Sequence, residues 1–249
     1  MKKFSFISIV IMLLFIGNSL VAQDEAGLKG FRLGLIAQPD IAWYKPEDVK
    51  IIESSGSRLK FAYGLVTEFR LNKVASFATG ILINYTGGGL DFIQDSTFYK
   101  LQTETNIDTF FIKSRLFNII YADIPITLKM KTPEIGNMTY FAQFGGNLSV
   151  RTKARSIDKG VLKNTTVEST QENVDITKDM NIMQLGLNVG AGVEYNLAGS
   201  TSLMFSLNYH NGFSNIMKKE SKLLIDKFGK ALKLDTKSNY VSLTVGILF

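Results

Sequence analysis

The chain has 249 residues, a mean hydropathy of +0.10, 28 basic and 22 acidic side chains, and no cysteine. Without cysteine there is no disulfide, thiolate metal site, cysteine nucleophile or lipid-anchored cysteine. A formal charge of +6 is too small an excess to argue for nucleic acid, and beyond the N-terminal segment no apolar run reaches the ~18 residues of a spanning helix.

Met1-Lys-Lys-Phe4, an apolar block from Phe4 to Ile16, and Gly17 to Ala22 read as a secretory signal peptide over residues 1–22. Cleavage after Ala22 makes Gln23 the mature start. Loss of Lys2 and Lys3 then lowers the charge to +4, 26 basic against 22 acidic residues.

From Gly30 onward the dominant period is two, which predicts strands with one greasy and one polar or small face. In Gly30–Tyr44, Phe31, Leu33, Leu35, Ala37, Ile41 and Trp43 oppose Arg32, Gly34, Gln38 and Asp40, and Pro39, which has no N–H, predicts a bulge or an unpaired site. Lys45–Ser57 reads as a loop. Arg58–Leu71 returns with Leu59, Phe61, Tyr63, Leu65 and Phe69 outward and Lys60, Ala62, Gly64, Glu68 and Arg70 inward, and Asn72-Lys73 turns into Val74–Thr86. Gly87 to roughly Lys113 is predicted as a long connection and Leu116–Met130 as the fourth strand. The fifth follows a short turn, Lys131–Gly136, and covers Asn137–Arg151. Thr152–Lys178 is predicted as a polar loop and Asp179–Leu197 as the sixth strand. Ala198-Gly199 turns into Ser200–Phe213, Ser214–Asp235 is a last long loop, and Thr236–Phe249 is the eighth strand.

Eight strands joined by alternating long and short connections predict an all-β fold, an eight-stranded antiparallel transmembrane β-barrel over residues 23–249. Placing both termini in the periplasm sorts the aromatic residues into two belts, Phe31, Phe69, Phe77, Tyr140, Tyr195 and Phe249 at one edge and Trp43, Phe61, Tyr63, Tyr85 and Tyr209 at the other. A soluble lipocalin-like barrel would have its apolar face inside.

Tyr121-Ala-Asp-Ile-Pro-Ile-Thr-Leu-Lys129 resembles the Tyr-x-Glu-Ile-Pro-Leu-x-Leu-Lys segment of PorT-family outer-membrane β-barrels of Bacteroidetes, with Asp123 in place of the usual glutamate. Gly30-Phe-Arg-Leu-Gly34, Pro39-Asp-Ile-Ala-Trp43, Phe77-Ala-Thr-Gly80, Gly190-Ala-Gly-Val-Glu194 and Gly212-Phe-Ser-Asn-Ile216 are similar too. A last strand ending in an aromatic such as Phe249 is also what outer-membrane barrels look like. The resemblance implies a porin-like outer-membrane protein with extracellular long loops, and for one member class a role in type IX secretion. It selects no activity.

The predicted interior face carries Arg32, Lys60, Glu68, Arg70, Asp123, Lys129, Arg151 and Glu194. Eight strands enclose a lumen just wide enough for side chains, so these charges are expected to pair into a plugging network rather than line a diffusion pore. His210 and Ser214 lie about 13 Å apart on an extended strand, too far for a base to take the serine proton. No catalysis, cofactor or metal is expected. In the last loop, Lys218, Lys219, Lys222, Lys227, Lys230 and Lys233 alternate with Leu223, Leu224, Phe228 and Leu232 at near-helical spacing. This leaves two readings, a solvated loop or a short amphipathic helix on lipopolysaccharide. Expected partners are outer-membrane lipid, lipopolysaccharide, and secretion-system or other envelope proteins, with no nucleic acid.

Overall fold

The computed structural model describes residues 30–249 apart from 48, 50, 94–96, 103–106, 164–166 and 227. The signal segment 1–22 and Lys227 lie outside the described residues. The described strands are β1 (Phe31–Pro46), β2 (Ile52–Ser54), β3 (Arg58–Arg70), β4 (Ala75–Thr86), β5 (Gly89–Phe92), β6 (Phe98–Gln102), β7 (Ile107–Lys131), β8 (Met138–Leu162), β9 (Glu168–Asp175), β10 (Met183–Ala198), β11 (Thr201–Gly212) and β12 (Thr236–Leu248).

Eight of them form a closed antiparallel ring in the order β1, β3, β4, β7, β8, β10, β11, β12, with β12 pairing back onto β1. Closure satisfies the wall's backbone groups without water, the condition for crossing hydrocarbon. The predicted faces hold: Leu65, Ile81, Phe144, Leu187, Leu207 and Leu243 point out and are half or more exposed, while Glu68, Asn84, Ser149, Glu194, Asn208 and Thr244 on the same strands are buried inside. Both aromatic belts form as well. Phe69 lies 5.2 Å from Phe31 and 6.4 Å from Phe77 at the short-turn end, and Tyr63–Tyr85 and Trp43–Tyr209 stack at 6.4 Å further along the wall. Gly136 and Gly199, at φ +64° and +60°, supply the left-handed residue of two short turns.

Three expectations are resolved. Of the two forms predicted at Pro39, the structure has the unpaired site and not the bulge: Pro39 keeps register opposite Phe61, and the ladder toward β12 lapses at residues 38 and 39. Bulges in the ring fall elsewhere, on β7 at Lys113, on β8 at Thr152 and on β10 next to its turn, between Asn196 and Ala198. Second, the connections predicted as loops carry strands. β7 and β8 run 25 residues each, well past the roughly 10 needed to span a bilayer; β9 pairs with β8, β5 and β6 with β7, and β2 with β5. Third, the last loop has no helix among its described residues; Ile225 bridges to Phe98 and to Ala231.

These extensions fold around a core at the long-loop end. Tyr44, Ile52, Leu90, Phe110, Ile112, Phe117, Ile119, Ile176, Met180, Ile216, Leu224 and Leu234 are buried together there. The bulges change which residues of the long strands face the cap. An extra residue moves the inward parity by one, so Phe110 and Ile112 turn inward on one side of Lys113 and Arg115 and Phe117 on the other.

Candidate functional site

The lumen is closed by side chains at both ends. At the short-turn end, β1, β3, β7 and β10 each deliver a charge. Glu194 accepts from Arg32 at 2.6 Å, Lys129 at 2.5 Å and Lys131 at 3.0 Å. Glu68 pairs with Arg32 at 3.1 Å, Lys129 at 3.3 Å and Lys131. Lys129 also sits 4.0 Å from the centre of the Phe141 ring, a cation–π contact. Three cations thus share two carboxylates, each side chain at most 12% exposed.

Of the residues predicted for an interior network, Arg32, Glu68, Lys129 and Glu194 are brought together. Arg70 makes no ion pair among the described residues. Asp123 instead accepts 2.7 Å from Asn84 Nδ2, and Arg151 donates to the Asn181 carbonyl at 3.2 Å. Lys60 donates to Asn118 Oδ1 at 2.8 Å rather than entering the lumen's charge cluster. Sequence reasoning missed Lys131, assigned to a turn because Pro133 follows it, and Phe141, which reads like one more lipid-facing aromatic. The available signal was Lys131's parity: it continues the inward series Asp123, Thr127, Lys129.

Above the network lies a cavity of about 70 Å³ with a mixed lining, Ile36, Leu82 and Met204 beside Glu68, Gln143 and His210, roomy enough for several waters against its polar side. Gln143 Nε2 donates to Asn208 Oδ1 at 2.5 Å, and Asn208 Nδ2 donates to Thr244 Oγ1 at 2.9 Å across it. His210 stacks on Tyr240 at 4.1 Å with Nε2 3.2 Å from Ser242 Oγ, and its Nδ1 has no partner. Ser214 is elsewhere: its hydroxyl accepts from the Leu185 N–H at 2.8 Å. A histidine whose far nitrogen is oriented by no carboxylate lacks the third member of a catalytic relay.

At the long-loop end the apolar cap is pinned by polar contacts. Arg115 Nε and Nη2 reach Asp158 Oδ1 and Oδ2, each at 2.7 Å. Asp179 organises the last loop by accepting from Ser221 Oγ at 2.5 Å and from the backbone N–H groups of Lys222 at 2.6 Å and Leu223 at 3.2 Å. That loop turns Leu224, Leu232 and Leu234 inward and leaves Lys219, Lys222, Lys230 and Lys233 exposed, with Lys218 half-buried. No cluster of three or more metal-ligating side chains occurs among the described residues.

Three solved structures align over most of their length. Neisserial surface protein A shares 15% identity at TM-score 0.41, covering 88% of this chain and 96% of that one. OprG of Pseudomonas aeruginosa shares 12% at 0.42, covering 91% and 99%. Ail, the attachment invasion locus protein of Yersinia pestis, shares 12% at 0.39, covering 89% and 100%. No curated protein matches the chain. The family profile for the outer membrane protein beta-barrel domain matches residues 21–218, most of the sequence including seven of the eight ring strands. With the closed ring, the lipid-compatible outer face and the filled polar lumen, this establishes that the chain belongs to the outer membrane protein beta-barrel domain family, proteins of the bacterial outer membrane.

Proposed function

We propose that this protein is a non-catalytic, PorT-like barrel that acts through the folded surface at its long-loop end, presented outside the cell, with both termini in the periplasm. The observation that carries this reading is the double closure of the lumen: a five-residue charge network at one end and an apolar cap at the other. A barrel filled this way is a poor conduit, and its largest folded feature is the cap built on β7, β8 and β9. The deciding experiment is protease treatment of intact cells together with planar-bilayer recording. Cleavage confined to the long-loop end and no steady conductance support the reading. Cleavage at the short turns, or reproducible open-channel current, overturns it.

A PorT-type subunit of the type IX secretion machinery is the second reading, carried by the Tyr121–Lys129 segment. Deletion followed by assay of cargo export separates the two: lost export with intact lipid composition selects the secretion role, and unchanged export removes it.

A further inference from the structure

Outside the lumen, on the lipid-facing side of the wall beside β9, lies a groove of about 440 Å³. Lys60, Lys153 and Arg155 line it, opposed by one carboxylate, Glu172, with Tyr85 and Ile120 on the membrane side. Strand register relates it to the aromatic belt. Phe61 pairs with Tyr85, Tyr85 with Ile120, and Ile120 with Lys153. Lys153 therefore continues, on the outer face, the row that carries the second aromatic belt. Asn118 and Arg155 form the pair two residues further on, about 7 Å nearer the long-loop end.

Aromatic belts mark the level of lipid headgroups, so these cations stand where headgroup phosphates begin. Lys60 is engaged by Asn118 at 2.8 Å, but the other two have donors to spare. Lys153 makes no hydrogen bond or ion pair among the described residues. Arg155 uses only Nη1, at 3.4 Å from the Asn173 carbonyl and 3.5 Å from Asp175, leaving the rest of its donor fork open.

We propose that this groove seats the phosphate of a membrane lipid headgroup. Lys153 and Arg155 are its charge partners, Lys60 approaches from the barrel rim, and Tyr85 packs on the first methylenes below. With the long loops outside the cell, as in the preceding reading, the lipid is a phosphorylated glycolipid of the outer leaflet.

The test uses the full mature chain in phosphatidylcholine nanodiscs, with native mass spectrometry counting retained lipid A in its bisphosphorylated and dephosphorylated forms. Wild type should retain the bisphosphorylated form selectively. Each basic residue near a membrane surface contributes about fivefold, so Lys153→Gln with Arg155→Gln should lose roughly 25-fold. Lys153→Arg should keep most of the binding, and Lys219→Gln with Lys233→Gln should change nothing. Equal retention of the two lipid forms, an unaffected double variant, or loss that tracks the loop lysines overturns the site. Displacement by millimolar inorganic phosphate makes it an anion site and overturns the lipid assignment. Proteolysis of intact cells reports orientation separately: long loops found in the periplasm would leave the groove's phosphate binding standing but overturn the glycolipid assignment.

Discussion

Arg115 and Asp158 face each other across β7 and β8 and join through two parallel hydrogen bonds of 2.7 Å, their side chains 2% and 0% exposed. The pair sits among apolar cap residues, and the Arg115 guanidinium lies 6.0 Å from the Phe117 ring centre. Removing one partner strands a buried charge at a cost of about 3–5 kcal/mol, whereas a matched apolar pair is often tolerated. Arg115→Met alone should therefore open the cap, with faster amide exchange across residues 107–119 and 153–162, while the barrel keeps its heat-modifiable gel mobility. Adding Asp158→Leu should restore most of the protection. Equal exchange in the single and double variants would contradict this.

The network at the other end makes the opposite forecast for the wall. Glu194→Gln leaves three cations facing Glu68 alone, so urea unfolding from lipid vesicles should show a loss of about 3–5 kcal/mol. Lys131→Met leaves two cations on two carboxylates and should cost distinctly less. A larger loss for Lys131→Met than for Glu194→Gln would show that the third cation is needed for neutralisation.

Acid should act first on the β8–β9 edge. Hydrogen bonds from Thr177 hold the Asp175 carboxyl below the ordinary carboxylate range, and Lys113, 2.9 Å away, does the same for Glu168. Groups with depressed folded-state values contribute stability that is fully present above the unfolded value, near pH 4, and is lost as pH falls through the folded one. Amide exchange in residues 168–175, corrected for its intrinsic pH dependence, should rise as pH drops below about 4 and stay flat between pH 6 and 8. Asp175→Asn should remove part of the response.

Gly64 tests the fit of neighbouring strands. A Cβ there would lie 2.7 Å from Leu82 Cα, backbone that cannot swing aside. Gly64→Ala should overpack β3 against β4 at a cost of about 1–3 kcal/mol, read as a lower urea midpoint with an unchanged spectrum. Gly136→Ala, where a Cβ meets open space but φ is +64°, should cost about 1–2 kcal/mol from the left-handed backbone alone.

The wall was legible because lipid outside and polar side chains inside impose one period on every strand. Arg32, Glu68 and Glu194 could thus be assigned to the interior from parity alone. The cap was not legible. Around Phe110, Ile112, Phe117 and Ile119 residues of both parities are apolar and a bulge shifts the phase, so alternation disappears where β7 leaves the membrane. Inward apolar residues such as Val66, Leu82, Phe141 and Met204 were missed because a greasy residue on a barrel strand looks lipid-facing. The last loop misled in another way. Its leucines occur at helical spacing, yet they reach the cap core from an irregular chain held by Asp179 and the Ile225 bridges.

The pairing of β1 with β12 has a temporal consequence. Phe31–Pro46 is the first ring strand in chain order, and the strand that covers its free edge is the eighth. Until residues 236–248 arrive, every partial product carries two raw margins with unmet N–H and C=O groups, a poor species to release into oil and a ready target for runaway self-association. The seam between Phe31–Pro46 and Thr236–Leu248 thus makes closure of the wall depend on its final segment.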